Sequence, residues 1–459
     1  MKYDIPKLEE EYGIKLDSAQ LDVLSNLINF VESRDHTICL KAKAGTGKTT
    51  IFSMLYDILF RNNKSVVFVA PTNKAKLILN SKKNSNRNAV TIHSLLNLRP
   101  NLDIMEFDAS QLSFDFGFVK SKNVPTYDVL LIDECSMIND DLYNILCSKF
   151  KNSKLIFSGD ESQLAPINQK GISKTFSTKT LSLTKIYRQP ESKLYKVLEY
   201  LRHKPLYSFK NVSDENGNII VCDNIVEMID KYGYLFKVGE DFEDLSFVKM
   251  ITYTNNRIDA LNKAIRKKLY PEESEYHIRE ILTGYNSCDY GAQARIENSK
   301  DYIITEIHPK IFTFRDIKLN AYQLGLSSSK NDFAYFTILS RDNPQNELDK
   351  LAEVCENLRQ KAVSSKSSLD WKHFFQLYDS FLTPIDLTYD NRVIKRKSLD
   401  YGYCISAHKS QSSSYSIVLI DMENIWRCKN KEELRQMQYV ACSRTTSDLI
   451  IYQKHEHSQ

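Results

Sequence analysis

The chain has 459 residues, enough for about three domains at roughly 100–200 residues each, so its cores need no disulfide or metal staple. Lysine and arginine number 62 and aspartate and glutamate 58; the formal net charge of +4 excludes a polybasic coat and an acidic disordered tail. Hydrophobic residues at 42% and charged residues at 26% are ordinary for a soluble globular protein, but 13 glycines are few against about 32 at the usual ~7%, so each retained glycine is informative.

Nine cysteines, an odd number with no CxxC spacing, exclude a zinc ribbon and a disulfide framework and suit a reducing compartment. Met1 to Glu11 is charged and lacks the apolar stretch of a secretory signal. The apolar runs, such as Val66 to Ala70 and Val129 to Ile132, are strand-sized and far short of the ~20 residues that cross a bilayer. The expectation is a soluble, intracellular, cytoplasmic protein with no membrane partner.

In chain order, Ser18 to Ser33 reads as a helix with Leu21, Leu24, Ile28 and Val31 on one face and Asp17 or Ser18 as its cap. A strand at Thr37 to Leu40, a small-residue loop and a helix at Thr49 to Phe60 follow. Strands at Ser65 to Ala70, Tyr127 to Ile132 and Lys154 to Phe157 alternate with helices at Asn73 to Asn80 and Asp140 to Phe150. This alternation implies a parallel sheet covered on both faces. Leu98 to Pro125 breaks it: Phe114, Phe116 and Phe118 alternate at period two, the pattern of an inserted β-hairpin. A second αβ stretch begins near Asp244, with a strand at Phe247 to Tyr253 and a helix at Arg257 to Leu269. It resumes with strands at Tyr401 to Ala407 and Ser416 to Asp421, a helix at Lys431 to Ser443 and a strand at Asp448 to Tyr452. Between them, about 279 to 400 reads as an insertion, strand-rich at first and helical over Glu347 to Val363. The expected fold class is α/β. Lobe 1 comprises 1–97 and 126–190, interrupted by the hairpin at 98–125; lobe 2 comprises 191–278 and 401–459, interrupted by the insertion at 279–400.

Ala42-Lys43-Ala44-Gly45-Thr46-Gly47-Lys48-Thr49 follows a strand and opens a helix, the context of a Walker A phosphate loop. Backbone amides from Ala44, Gly45, Thr46, Gly47, Lys48, Thr49 and Thr50 can cradle phosphates at the helix N-terminus. Lys48 is expected on the β/γ-phosphates of ATP, and Thr49 on Mg²⁺. Asp133-Glu134 end the buried run Val129 to Ile132, where two adjacent carboxylates are costly unless they meet a cation. Asp133 is expected to hold Mg²⁺ and Glu134 to orient or deprotonate the attacking water.

Further segments complete a pattern that resembles the superfamily-1 helicases. Ala70-Pro71-Thr72-Asn73-Lys74-Ala75 resembles motif Ia, and Thr91-Ile92-His93-Ser94 motif Ib. Ser158-Gly159-Asp160-Glu161-Ser162-Gln163 looks like motif III and Tyr187-Arg188 like motif IV. Ala407-His408-Lys409-Ser410-Gln411-Ser412 resembles motif V, and Tyr439-Val440-Ala441-Cys442-Ser443-Arg444 motif VI. Their order and spacing are most similar to the RecD-like branch, over Gln20 to Tyr452.

The resemblance implies two RecA-like lobes, a separation pin at 98–125 and an SH3-like accessory domain within 279–400. By it, Gln20 reads adenine, Gln163 senses the γ-phosphate, and Arg188 and Arg444 are arginine fingers. It places Pro71, Thr72, Asn73, Thr91, His93 and Ser94 of lobe 1 on a single-strand track. Tyr253, Thr254, Asn255, His408, Lys409, Ser410 and Gln411 of lobe 2 complete that track, and Phe116 or Phe118 is placed at the fork. Polar groups and aromatics suit such a track because every base has a π-face. Ala42 and Ser412 stand where the family usually has glycine, and Thr445 where a small residue is common.

The implied activity is an ATP-dependent helicase that moves 5′ to 3′ on single-stranded DNA and opens duplexes at a fork, in replication, recombination or repair. A single-strand-binding or replication protein is a further expected partner, the chain is expected to act as a monomer, and its compartment is a host cytoplasm if it is phage-encoded. An RNA helicase, a translocase that does not unwind and a nucleotide-gated scaffold are the alternatives.

Overall fold

The computed structural model describes residues 3–454 apart from 44, 72–88, 97, 101–115, 119–124, 167–170, 187–191, 216, 240–244, 273, 291–293 and 330–331; the side chains of 93, 98–100 and 116–118 also lie outside the description. Helix α1 (Ser18–Glu32) starts at a capping box. The Asp17 carboxylate accepts from the Gln20 amide, and the Gln20 side chain accepts from the Asp17 amide.

Lobe 1 is a six-stranded sheet. Its strands are β1 (Thr37–Ala42), β2 (Val66–Ala70), β3 (Ala89–Thr91), β4 (Val129–Ile132), β5 (Lys154–Gly159) and β6 (Lys179–Leu183), all paired in parallel in the order β3-β2-β4-β5-β1-β6. Helix α2 (Lys48–Arg61) and helix α3 (Asp140–Lys149) belong to the same lobe. Separate apolar clusters lie against the two faces, one around Leu24, Ile51 and Leu55, the other around Val69, Leu146 and Phe157. Strands β2 and β4 are nearly continuous apolar runs because both of their faces are covered.

Within the proposed hairpin, Leu98–Pro100 pairs antiparallel with Phe116–Phe118.

Lobe 2 begins with helix α4 (Lys193–Leu201) and strands β7 (Val212–Asp214) and β8 (Gly217–Cys222), none of which periodicity had revealed. Strand β9 (Val248–Thr252) and helix α5 (Asn255–Leu269) follow. The insertion carries β10 (Ile281–Gly284), β11 (Asp301–Phe314), β12 (Ile317–Ser329), β13 (Asp332–Leu339), helices α6 (Gln345–Ser365) and α7 (Ser368–Tyr378), and β14 (Leu399–Tyr401). Its sheet runs β13-β12-β11-β10-β14, antiparallel throughout. Lobe 2 then closes with β15 (Cys404–Ser406), β16 (Tyr415–Asp421), helix α8 (Lys431–Cys442) and β17 (Thr445–Tyr452), in the sheet order β15-β9-β16-β17-β8-β7.

The expected single strand over Tyr401 to Ala407 is two. Leu399–Tyr401 pairs with the inserted sheet, and Cys404–Ser406 pairs with β9 of lobe 2. Gly402 between them is packed so closely on Thr283 and Leu282 that a Cβ would clash, which lets the chain pass from one sheet to the other.

Candidate nucleotide site and strand track

The phosphate loop joins β1 to α2 at the end of the lobe 1 sheet. Gly45 and Gly47 hold φ of 82° and 84°, the left-handed backbone that turns successive N–H groups toward one point. No side chain caps α2, so the Lys48 and Thr49 amides at its start stay open to an anion, while the Thr50 amide donates to the Gly47 carbonyl. A Cβ on Gly47 would stand 2.8 Å from Gln20 Nε2. Gln20 itself is buried and donates to the Thr46 carbonyl at 3.2 Å. The residue expected at adenine thus braces the phosphate loop from below. Thr46 is fully buried, its hydroxyl on the Lys43 carbonyl.

Across the loop, Lys48 Nζ lies 3.3 Å from Glu134 Oε1 and 3.9 Å from Asp133 Oδ1. Burial alone would depress the ammonium. The carboxylates of Glu134, Asp133 and Asp160 outweigh it and hold Lys48 above the ordinary lysine value. Asp133 Oδ1 also accepts from the Glu134 amide (2.9 Å) and the Ser158 hydroxyl (3.1 Å). Glu134 sits at φ 52°, a left-handed conformation costly for a residue with a Cβ and typical of functional sites. Its Oε2 is buried with no hydrogen-bond partner, and so is Oε1 of Gln163. The orphaned Glu134 oxygen beside one buried lysine, at the open start of α2, fits a bound nucleotide with its metal and water.

The sensor loop, 160–165, reaches from this site into lobe 2. Leu164 is buried in the lobe 2 core beside Ile251 and Met437. Gln411 Nε2 donates to the Leu164 carbonyl, and the Ala165 amide donates to Gln436 Oε1, both at 3.3 Å. Asp160 is 1% exposed; its Oδ2 accepts from the Tyr439 hydroxyl (2.7 Å) and from Arg202 Nη1 (2.9 Å). Burial would raise this carboxyl, but Arg202, Tyr439 and the Ser162 amide hold it below the usual aspartate value.

Arg444 is buried, with its guanidinium on the Val440 carbonyl, the Ser413 carbonyl and the Ser443 hydroxyl, all within lobe 2. Ala44, Thr72, Asn73 and Arg188, and the side chains of His93, Phe116 and Phe118, lie outside the described residues. Pro71 ends β2, and Thr91 caps the short helix Ile92–Leu95 by accepting from the Ser94 amide. On lobe 2, Tyr253 stacks on His408 with centroids 6.3 Å apart. Lys409 Nζ lies 4.0 Å from the Tyr285 ring centroid. Two expected track residues are turned inward. Ser410 is fully buried with its hydroxyl on the Ala407 carbonyl, and Gln411 serves the sensor loop, so both shape the motif V loop rather than face a strand.

Sequence reasoning missed Asn424. Its Oδ1 gathers the Thr252 hydroxyl and the Tyr253 and Thr254 amides, and so fixes the turn that presents Tyr253. It also missed Glu199 on α4 and Arg202 at its C-cap; the spacing of Leu194, Val197, Leu198 and Leu201 was the available helical signal.

Together, the parallel sheet, the phosphate loop after β1 and the carboxylate pair after β4, one strand removed from β1, define a P-loop NTPase with a second α/β lobe. Residues 15–223 match the AAA domain family. The chain is 26% identical to the ATP-dependent DNA helicase dda of Enterobacteria phage T4, over 58% of this chain and 60% of that protein. It is 29% identical to the RecBCD subunit RecD of Buchnera aphidicola subsp. Schizaphis graminum, over 60% of this chain and 48% of that one. These matches thus span about half to three-fifths of each relative. A solved structure of two coordinating Pif1 helicases at forked duplex DNA shares the fold, with a TM-score of 0.51 and 16% identity, covering 96% of this chain and 93% of that one. The chain is thus similar in sequence to ATP-dependent helicases of the superfamily-1, RecD-like branch and similar in fold to a Pif1 helicase. No helix among the described residues is long and apolar enough to cross a membrane.

Proposed function

We propose that the chain is an ATP-driven motor that moves 5′ to 3′ along single-stranded DNA and separates duplex at a fork, with 98–125 as its pin and 279–400 carrying an SH3-like accessory domain. One observation carries this reading. The loop of Asp160 and Gln163, whose Asp160 carboxylate acts on Lys48, is anchored in lobe 2 through Leu164, Gln411 and Tyr439, next to the segment assigned to the strand. A change at the nucleotide therefore reaches the strand grip through packed contacts.

Magnesium-bound ATP supplies the phosphoanhydride whose hydrolysis drives the cycle. Lys48 and the amides of 44–50 would hold its phosphates, Thr49 and Asp133 the metal. Glu134, with one oxygen unpartnered, would take the proton of the attacking water. Gln163 would hydrogen-bond at the γ-phosphate, and Arg188 and Arg444 would offset charge there once the lobes close. The reading includes a single-strand-binding or replication protein as partner and action as a monomer. Lys48→Ala tests the catalytic assignment: ATP turnover with single-stranded DNA should vanish, and retained DNA-stimulated turnover would sink it. Slow wild-type turnover indifferent to nucleic acid would favour a nucleotide-gated scaffold instead.

A further inference from the structure

Helix α4 packs in the lobe 2 core through Leu194 and Leu201, yet its last turn faces lobe 1. Glu199 in that turn and Arg202 at its C-cap, three positions apart with helical backbone, lie on one side of the helix end. Glu199 takes both of its oxygens to Lys43 Nζ of the phosphate loop, at 2.8 and 2.9 Å. Arg202 takes Nη1 to Asp160 of the sensor loop at 2.9 Å and to the Tyr439 hydroxyl at 2.7 Å, and its guanidinium lies over the Tyr439 ring. The Arg202 carbonyl accepts from Arg435 of α8 at 2.7 Å, which fixes the turn to lobe 2.

The two ion pairs are crossed in sign. Lobe 1 offers a cation at the phosphate loop and an anion at the sensor loop; lobe 2 answers with an anion and a cation from one helical turn. Such a pattern fixes register between two bodies, because sliding either lobe sets like charges together. It also makes the first pair sensitive to phosphate. An anion in the loop competes with Glu199 for Lys43, while the Glu199 carboxylate beside it opposes that anion. The second pair is more buried, and Asp160 has no access to water to replace Arg202.

We propose that Glu199 and Arg202 form an interlobe clasp on the nucleotide site: Glu199 restrains the phosphate loop until nucleotide displaces it, and Arg202 positions the sensor loop for turnover. The proposal rests on the motor reading above. Neither residue touches the reacting atoms; both act through Lys43 and Asp160.

The test uses the full chain, first with a fluorescent ADP analogue and Mg²⁺ and no DNA, then with ATP and saturating single-stranded DNA. Glu199→Gln removes a negative charge from beside the loop, and ADP should bind roughly three- to tenfold more tightly. Arg202→Ala should lower kcat by about tenfold or more with KM within about twofold, and Arg202→Lys, which keeps the charge but not the planar fork, should recover part of the loss. An unchanged ADP affinity in Glu199→Gln overturns the clasp. So does an unchanged kcat in Arg202→Ala, or equal inactivity of both Arg202 variants with equally lowered thermal midpoints. The ADP measurement needs neither DNA nor turnover, so it decides the clasp even where wild-type hydrolysis ignores DNA, the result that would sink the motor reading alone.

Discussion

Lys48 and Glu134 lie within an ion-pair distance of 3.3 Å, and only one of the two Glu134 oxygens is so engaged. The ammonium is thus neutralised before any phosphate arrives. The free oxygen, a buried acceptor whose lack of a partner costs about 1–3 kcal/mol, is the group that the proposed mechanism uses to take a proton.

Replacing that acceptor separates binding from chemistry. Glu134→Gln keeps the shape of the side chain but cannot take a proton. Turnover should fall by roughly 10²- to 10⁴-fold, the usual span for a general base. Nucleotide binding should hold or tighten, because Lys48 loses a competing carboxylate. Steady-state ATPase rates alongside nucleotide titration check both halves; a variant that turns over at the wild-type rate removes Glu134 from the mechanism.

On the proposed strand track, Lys409 would give the grip a pH dependence. Its ammonium faces the Tyr285 ring at 4.0 Å, and Lys397 approaches the same ring at 4.1 Å while paired with Asp259 and Asp400. Burial and the Lys397 charge bring Lys409 down to about 8. Strand affinity should therefore fall as pH rises through 8, and the log–log salt slope should shrink by about 0.7, one single-strand phosphate contact. The folding sign is opposite. With its proton held less tightly than in the unfolded chain, Lys409 favours the folded state more as pH rises from about 8 toward the ordinary lysine value. Lys409→Arg should flatten the binding profile, since guanidinium keeps its charge throughout. A wild-type profile already flat between pH 7 and 9 would remove Lys409 from the track.

Ser412 occupies a position where glycine is usual in the family, and it adopts φ 62° with its buried hydroxyl unpartnered. A left-handed backbone costs a residue with a Cβ about 1–2 kcal/mol, and glycine avoids that cost against a larger unfolded-state entropy. Ser412→Gly should therefore raise the unfolding midpoint, by about 1 kcal/mol of stability. Denaturant unfolding of the two chains measures it; a lowered midpoint would mean that the serine has a native role beyond its backbone.

What the sequence made legible follows from how local each requirement is. The phosphate loop could be read directly because glycines at 45 and 47, an open helix start and a lysine are needed within a few residues. The same holds for Asp133-Glu134 at the end of an apolar run. Strand β7 was missed because it is three residues long and polar on both flanks, whereas α4 did carry a readable spacing in Leu194, Val197, Leu198 and Leu201. Glu199 and Arg202 carry no local mark at all. Their partners, Lys43 and Asp160, are 156 and 42 positions away, and only the docking of the two lobes brings them together. Ser410 shows the limit of a motif: it assigns the residue to the strand track, but only the turn after β15 shows that its hydroxyl donates to the Ala407 carbonyl.

The central claim is tested most directly by duplexes that differ only in overhang polarity, with ATP, Mg²⁺ and catalytic amounts of the chain. The account predicts strand separation from a 5′ single-stranded overhang, abolished in Lys48→Ala. Unwinding solely from a 3′ overhang, or none from either while ATP is hydrolysed, would contradict it.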